Sequence, residues 1–272
     1  AQTILDYMRF CNALSYQLIR NHDLARIIGT TIPMSSQDAF AAAIVDLLSQ
    51  AHVIEDFVEV LLRHEFETNV LTSTLFRANS LCTKVQTAFA RQQCHIFMLN
   101  TFNPFITRVM KMPKCELDPV KLRDDFPSAT DHEIEEIQHK NTLIIEGLCD
   151  DVLATLRRHI HDTPQALSTM CHQIRETCFL YHTNDPNVAL TLIGGFVFLR
   201  LFCPALAAPE AMNLCGNKPV LPKDRRTLIL VTKLLQNIAN TSTAVKEPWM
   251  RPTLAFVAKR NPVMKTYLKS LV

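Results

Sequence analysis

Residues 186–209 read PNVALTLIGGFVFLRLFCPALAAP, and this stretch carries a single formally charged side chain, Arg200. Asp185-Pro186 has the form of a helix N-cap with proline at the first helical position. The residues after Pro186 are apolar on every side, so the segment predicts a helix at the centre of an all-α domain, ended by Pro204 near Phe202. A guanidinium keeps its proton in a protein, so burying Arg200 without acceptors would cost several kcal/mol. Either another part of the chain holds acceptors for it, or it faces a cleft. Both alternatives mark a site.

The segments on either side agree with a helical fold. Ser35 and Asp38 can form a capping box before an apolar helix through Leu48. A second helix is expected near Ile54–His64, with Ile54, Phe57, Val58, Leu61 and Leu62 on one face. From Thr130, positions Ile134, Ile137, Asn141, Ile145, Leu148, Val152 and Leu156 keep three-to-four spacing, which predicts a long amphipathic helix with one polar residue in its stripe. Thr163-Pro164 reads as another N-cap pair. A helix is expected from about Arg225 to Asn240, then a short C-terminal pair broken around Pro252 and Pro262. Loops are expected at 66–79, 112–130 and 204–224. No alternating strand, internal repeat or low-complexity linker is visible, which opposes a helical-repeat scaffold.

Composition narrows the function. The chain has 272 residues, 48% hydrophobic and 20% charged, enough to bury a sizeable core in one domain. Five glycines disfavour β-rich folds and glycine-rich phosphate loops. A net charge of +2 lacks the basic excess of a nucleic-acid binder. The nine cysteines sit mostly in apolar words such as RFCNAL and GLCDD, as reduced thiols in a core would. No signal peptide is visible, and Arg200 interrupts the one stretch that approaches membrane-spanning length. The first residue is Ala1, and the chain is read as excised from a longer protein. Cys171, His172, Cys178 and His182 match no standard zinc spacing, so no metal site is expected. Glu135 and Glu136 belong to a solvated helix face.

A second unusual stretch, LTSTLFRANSLCTK at 71–84, places Arg77 in a loop just before a helix. Ser80 or Asn79 can cap that helix, which carries Leu81, Val85 and Phe89 on one face. The positive end of the helix dipole is a poor place for a structural cation. It suits a cation that meets a negative ligand together with unpaired backbone N–H groups.

The two arginine segments together resemble the Ras GTPase-activating (RasGAP) domain. TLFRANSLCTK resembles the family's finger-loop motif. FLRLFCPALAAP resembles its Phe-Leu-Arg signature, here Phe198, Leu199 and Arg200, followed by Pro204, Ala205 and Pro209. TLILVTKLLQNIANTSTAVKEPWMRP resembles a third family block at Gln236, Asn237, Ile238, Ala239, Asn240, Lys246 and Glu247, and CELDPVKL at 115–122 a fourth. The blocks fall in family order over roughly residues 35–272. The six-residue step from Asn240 to Lys246, with MRP and TPQAL, resembles the neurofibromin branch. Cys203, where many members carry Asn, and TLILV resemble the prototype Ras GAP instead. A thiol is a weak hydrogen-bond partner, so Cys203 puts one family hydrogen bond in question.

The resemblance implies a single all-α RasGAP-type domain that stimulates GTP hydrolysis by a Ras-family small GTPase in its GTP-bound state. It implies Arg77 as an arginine finger given in trans and Arg200 as the stabiliser of the finger loop. Thr74, Leu75, Phe76, Lys84, Leu199, Lys233, Asn240 and Lys246 are the implied GTPase-binding positions. GTP and Mg2+ would belong to the partner, with no cofactor of the chain's own. The implied setting is cytoplasmic, without membrane insertion, with flanking regions able to direct it to the inner face of the plasma membrane. A non-catalytic, Ras-family-binding scaffold is the alternative that the presence of both arginines opposes.

Overall fold

The computed structural model describes residues 31–68, 79–182, 184–216 and 218–272, together with Arg9, Ala13, Tyr16, Gln17 and Ile27. Among them every regular element is helical, as the periodicity predicted. Thr74, Leu75, Phe76 and Arg77 lie outside the described residues. Contacts between Cα atoms gather the chain into two compact units. One contains residues 1–94 and 164–193 with Val272, the other residues 95–163 and 194–271.

In the first unit a 3-10 turn, Met34–Ser36, leads into α1, Gln37–Gln50. The expected capping box of Ser35 and Asp38 does not form. Ser36 takes the N-cap position without a side-chain bond, and its N–H already points to the Pro33 carbonyl at 2.8 Å. The fixed φ of Pro33 starts a tight turn there, which takes over donors that a cap would have served. Helix α2, Ile54–Thr68, buries all five expected residues and Phe66 besides, and extends four residues beyond the expected end. Helix α3, Leu81–Val109, contributes its residues through Cys94 to this unit and opens on Ser80, whose hydroxyl accepts from the Thr83 N–H at 3.2 Å. Leu81, Val85 and Phe89 are buried. The unit is completed by packing α2 against α6, Gln165–Tyr181. Pro164 itself holds the N-cap of α6, so Thr163 does not cap it. Asp185 does act as read, accepting from the Asn187 N–H at 2.8 Å at the start of α7, Pro186–Gly194.

The second unit is built around α9, Pro222–Ala239, which touches α5 (Asp131–Arg158), α10 (Leu254–Lys269), a short α8 (Cys203–Ala207) and the segment before α8. Helix α5, Asp131–Arg158, starts with a full capping box between Thr130 and Glu133. It buries Ile134, Ile145, Leu148, Val152 and Leu156. The polar Asn141 in that stripe is explained by its bond to the Glu116 carbonyl at 2.8 Å. The expected loop at 112–130 contains α4, Pro119–Asp125, capped by Asp118. The expected loop at 204–224 contains α8, Cys203–Ala207, and a 3-10 turn, Pro209–Met212.

Two prolines do not act as breakers. Pro262 lies inside α10, Leu254–Lys269, which continues unbroken from the 3-10 turn Pro248–Thr253. The lost backbone bond costs about 3 kcal/mol. Burial of Phe256, Val257, Met264, Tyr267 and Leu268 offsets it, at about 1.5–3 kcal/mol per side chain. Pro204 does not end its helix near Phe202 either. The chain passes from α7 into a π-helical segment, Gly195–Phe202, and on into α8. In an α-helix the Pro204 ring would strike the carbonyl of Arg200. The wider turn, in which the Cys203 N–H reaches back five residues to the Phe198 carbonyl, relieves that clash.

The run Pro186–Ala207 spans 22 residues and contains an 18-residue window of mean hydropathy 1.9, so by length and composition alone it could cross a membrane even with Arg200 inside it. Of its most apolar window, 67% is buried within the structure, as in a core helix. Eight cysteines, from Cys82 to Cys215, are described; all are unpaired and buried, as expected of reduced core thiols. Burial pushes the Cys94 thiol up to about 12, far from reactive.

Candidate functional site

The π-helical segment sorts the Phe-Leu-Arg motif between inside and outside. Phe198 is fully buried, edge-on to Phe202 at 5.7 Å and to Tyr267 at 6.2 Å. Leu199 and Arg200 are half-buried. Ala205 and Pro209 are buried, and Pro204 is half-buried inside α8. π-Helical turns concentrate at functional sites because they re-aim a few side chains without ending the helix.

Helix α9 supplies the second wall. Its apolar stripe, Leu228, Val231, Leu234, Leu235 and Ile238, is buried. Lys233, Gln236, Asn237 and Asn240 repeat at three, four and seven residues on the opposite face and are all half-buried. The Cys203 thiol donates to the Thr232 carbonyl at 3.6 Å. The thiol therefore keeps this position tied to α9 despite being a weak partner. Asn240 closes the helix, its N–H bonded to the Gln236 carbonyl at 2.9 Å. Thr241 comes next at φ 52°, an uncommon conformation for a β-branched residue. The buried Asn261 holds it there, donating to the Thr241 hydroxyl at 2.9 Å and to the Ile238 carbonyl at 3.0 Å.

The cations expected to meet a partner are not equivalent. Lys233 is ion-paired with Glu247 and lies over the Trp249 ring, 5.5 Å from its centroid. Its hydrogen bond holds the Glu247 carboxyl below the ordinary carboxylate range. Lys84 is 3.3 Å from Asp38 and donates to the Met34 carbonyl, with 13% of its side chain exposed. It ties the first turn of α3 to the 34–38 segment. Lys246 is exposed.

Sequence reasoning missed three participants. Arg226 also lies over Trp249, at 5.5 Å, and makes two parallel bonds of 2.7 and 2.5 Å to Glu116. Asn261 is the third. Their partners lie 20 to 110 positions away, so no local spacing could have revealed them. The single tryptophan of the chain was the one available signal.

Among the described residues no group of His, Cys, Asp and Glu could hold a metal. Cys171 and Cys178 are buried on α6, and His172 instead meets Arg175 at 2.9 Å. A cavity of about 510 Å³ lined by Asp125, Phe126 and Ile137 contains none of the candidate residues, nor does one of about 270 Å³ lined by Thr101, Arg108 and Arg158.

Residues 57–240 match the family model described as GTPase-activator protein for Ras-like GTPase. The chain is 27% identical over 267 residues to Ras GTPase-activating protein gap-2 of Caenorhabditis elegans, covering 97% of this chain and 21% of that protein. It is 28% identical over 216 residues to a probable Ras GTPase-activating-like protein, ngap, of Dictyostelium discoideum, covering 78% and 23%. It is 25% identical over 263 residues to Neurofibromin-A of the same organism, covering 92% and 28%. The chain thus spans about a quarter or less of the length of the first two of these relatives. With two thirds of its length under one family model and its helical fold in agreement, the chain belongs to the RasGAP family of activators of Ras-like GTPases.

Proposed function

We propose that this domain accelerates GTP hydrolysis by a Ras-type small GTPase in its GTP-bound state, supplying Arg77 in trans. Negative charge shifts on the β- and γ-phosphate oxygens as the bond to the leaving group breaks. A delocalised, planar cation placed against them stabilises that charge. Such a finger is worth about 10³–10⁵ in rate, or roughly 4–7 kcal/mol, a magnitude that belongs to the Ras–GAP reaction in general. The backbone carbonyl near Arg77 would hold the GTPase glutamine that orients the attacking water. Arg200 acts as a brace, donating to carbonyls of the finger loop. GTP and Mg2+ are the partner's, and the domain brings no cofactor of its own.

The observation that carries this reading is the match over 57–240, a range that spans residues 71–84 and 198–209. The half-exposed placement of Leu199 and Arg200 beside buried Phe198 supports the bracing role. Single-turnover GTP hydrolysis across a panel of Ras-family GTPases tests it. Arg77→Ala should lower the stimulated rate at least about 100-fold with GTPase binding little changed, on the order expected for a lost finger. Arg200→Ala should cost less rate and some stability. Loss of binding together with rate in Arg77→Ala would make Arg77 structural. An Arg200→Ala variant unchanged in both rate and stability would remove the brace.

A further inference from the structure

Trp249 stands between two cations that the sequence left unconnected. Arg226 and Lys233 each lie 5.5 Å from its ring centroid, where the negative face of an indole attracts positive charge. Each cation is also held by a carboxylate. Arg226 is clamped by the buried Glu116, which also accepts from the N–H groups of Leu117 and Asp118 at 2.9 Å. Lys233 is clamped by Glu247. The ring therefore bolts the 247–249 turn to α9. At the other end of the same loop, Thr241 is held in its strained conformation by Asn261. Between these two anchors Lys246 is exposed.

We propose that Trp249 is a positioning residue for partner binding. It fixes the 241–249 loop so that Lys246 is presented in one place, and it commits Lys233 to internal support. The partner surface it serves is the acidic one expected of a Ras-type GTPase, so the inference rests on the proposed function. A loop already ordered loses little entropy when it is engaged, so the clamp acts on affinity and leaves the chemical step alone.

The test measures stimulated hydrolysis against GTPase concentration, binding to the same GTPase loaded with a non-hydrolysable GTP analogue, and thermal unfolding. Trp249→Leu keeps apolar bulk without the aromatic face, and should raise the half-saturating GTPase concentration about 3–10-fold at unchanged kcat. Trp249→Phe keeps a ring face and should recover most of that loss. In a Lys246→Ala background, Trp249→Leu should add nothing, because both changes remove the same contribution. A full further loss in that background overturns the proposal, as does a fall in kcat alone or wild-type behaviour of Trp249→Leu. Should Trp249→Leu unfold, Trp249→Met, which also keeps apolar bulk without an aromatic face, carries the same comparison in the two backgrounds. A wild-type chain that binds the GTPase without accelerating hydrolysis overturns the catalytic reading alone, leaving the clamp readable in the Kd. One that does neither overturns both.

Discussion

Glu116 has 1% of its surface exposed and receives four hydrogen bonds, two from Arg226 and two from backbone N–H groups. Burial pushes its carboxyl up, but the bonds from Arg226 and from Asp118 outweigh burial and hold it below the ordinary range. Removing one partner of such a pair leaves a charge and two N–H donors without acceptors. Glu116→Ala should therefore lower stability by about 3–5 kcal/mol. Glu116→Gln, which keeps one acceptor and the volume, should cost about 1–3 kcal/mol. Urea unfolding measures both, and an Ala variant within about 1 kcal/mol of wild type would mean that the pair contributes little. The sequence placed Glu116 in a recognisable word but gave it no role. A pairing across 110 positions is decided by packing, which local patterning does not encode. Arg200 stands out in the sequence for the opposite reason, since a lone formal charge in a mostly apolar run of 24 residues needs an explanation whatever the fold.

Elements were legible where one physical signal dominated. The stripe from Ile134 to Leu156 and the Thr130 cap gave α5 nearly to the residue. The π-helical segment was not legible, because the proline rule that predicts a break at Pro204 says nothing about a ladder that widens to admit it. The paired glycines at the α7 junction illustrate how packing decides. A Cβ on Gly194 would come within 3.2 Å of Leu268 and 3.4 Å of the Ala239 carbonyl, whereas one on Gly195 would meet nothing within 4 Å. Alanine is favoured over glycine in a helix by about 1 kcal/mol. Gly195→Ala should hence stabilise the protein by up to about 1 kcal/mol, and Gly194→Ala should gain nothing or lose about 1 kcal/mol as Leu268 and the α9 end give way. Equal shifts in melting temperature for the two variants would show that the α9 end does not constrain this helix.

At the scale of the whole molecule, charge is nearly balanced at neutral pH and becomes lopsided in acid. The net charge is +2 with ten neutral histidines and 26 carboxylates still to take up protons, so acidification loads positive charge onto a compact chain. Specific pairs act in the same direction. Glu116 and Glu247 have folded-state values below the ordinary 4.5, so the folded protein binds fewer protons than the unfolded chain as pH falls through that range. Their contribution is complete above about pH 4.5 and is lost as pH drops through the lowered values. Glu146 opposes them: burial, then the charge of Asp150, raises its carboxyl, so protonation relieves it. Two stabilising pairs and global repulsion outweigh one relieved carboxyl. Melting temperature should fall from about pH 6 to about pH 3, most steeply below about pH 4.5. The double variant Glu116→Gln/Glu247→Gln should melt lower at neutral pH and then lose less on acidification, because its two positions no longer titrate. Parallel curves for wild type and double variant would remove these two carboxylates from the account.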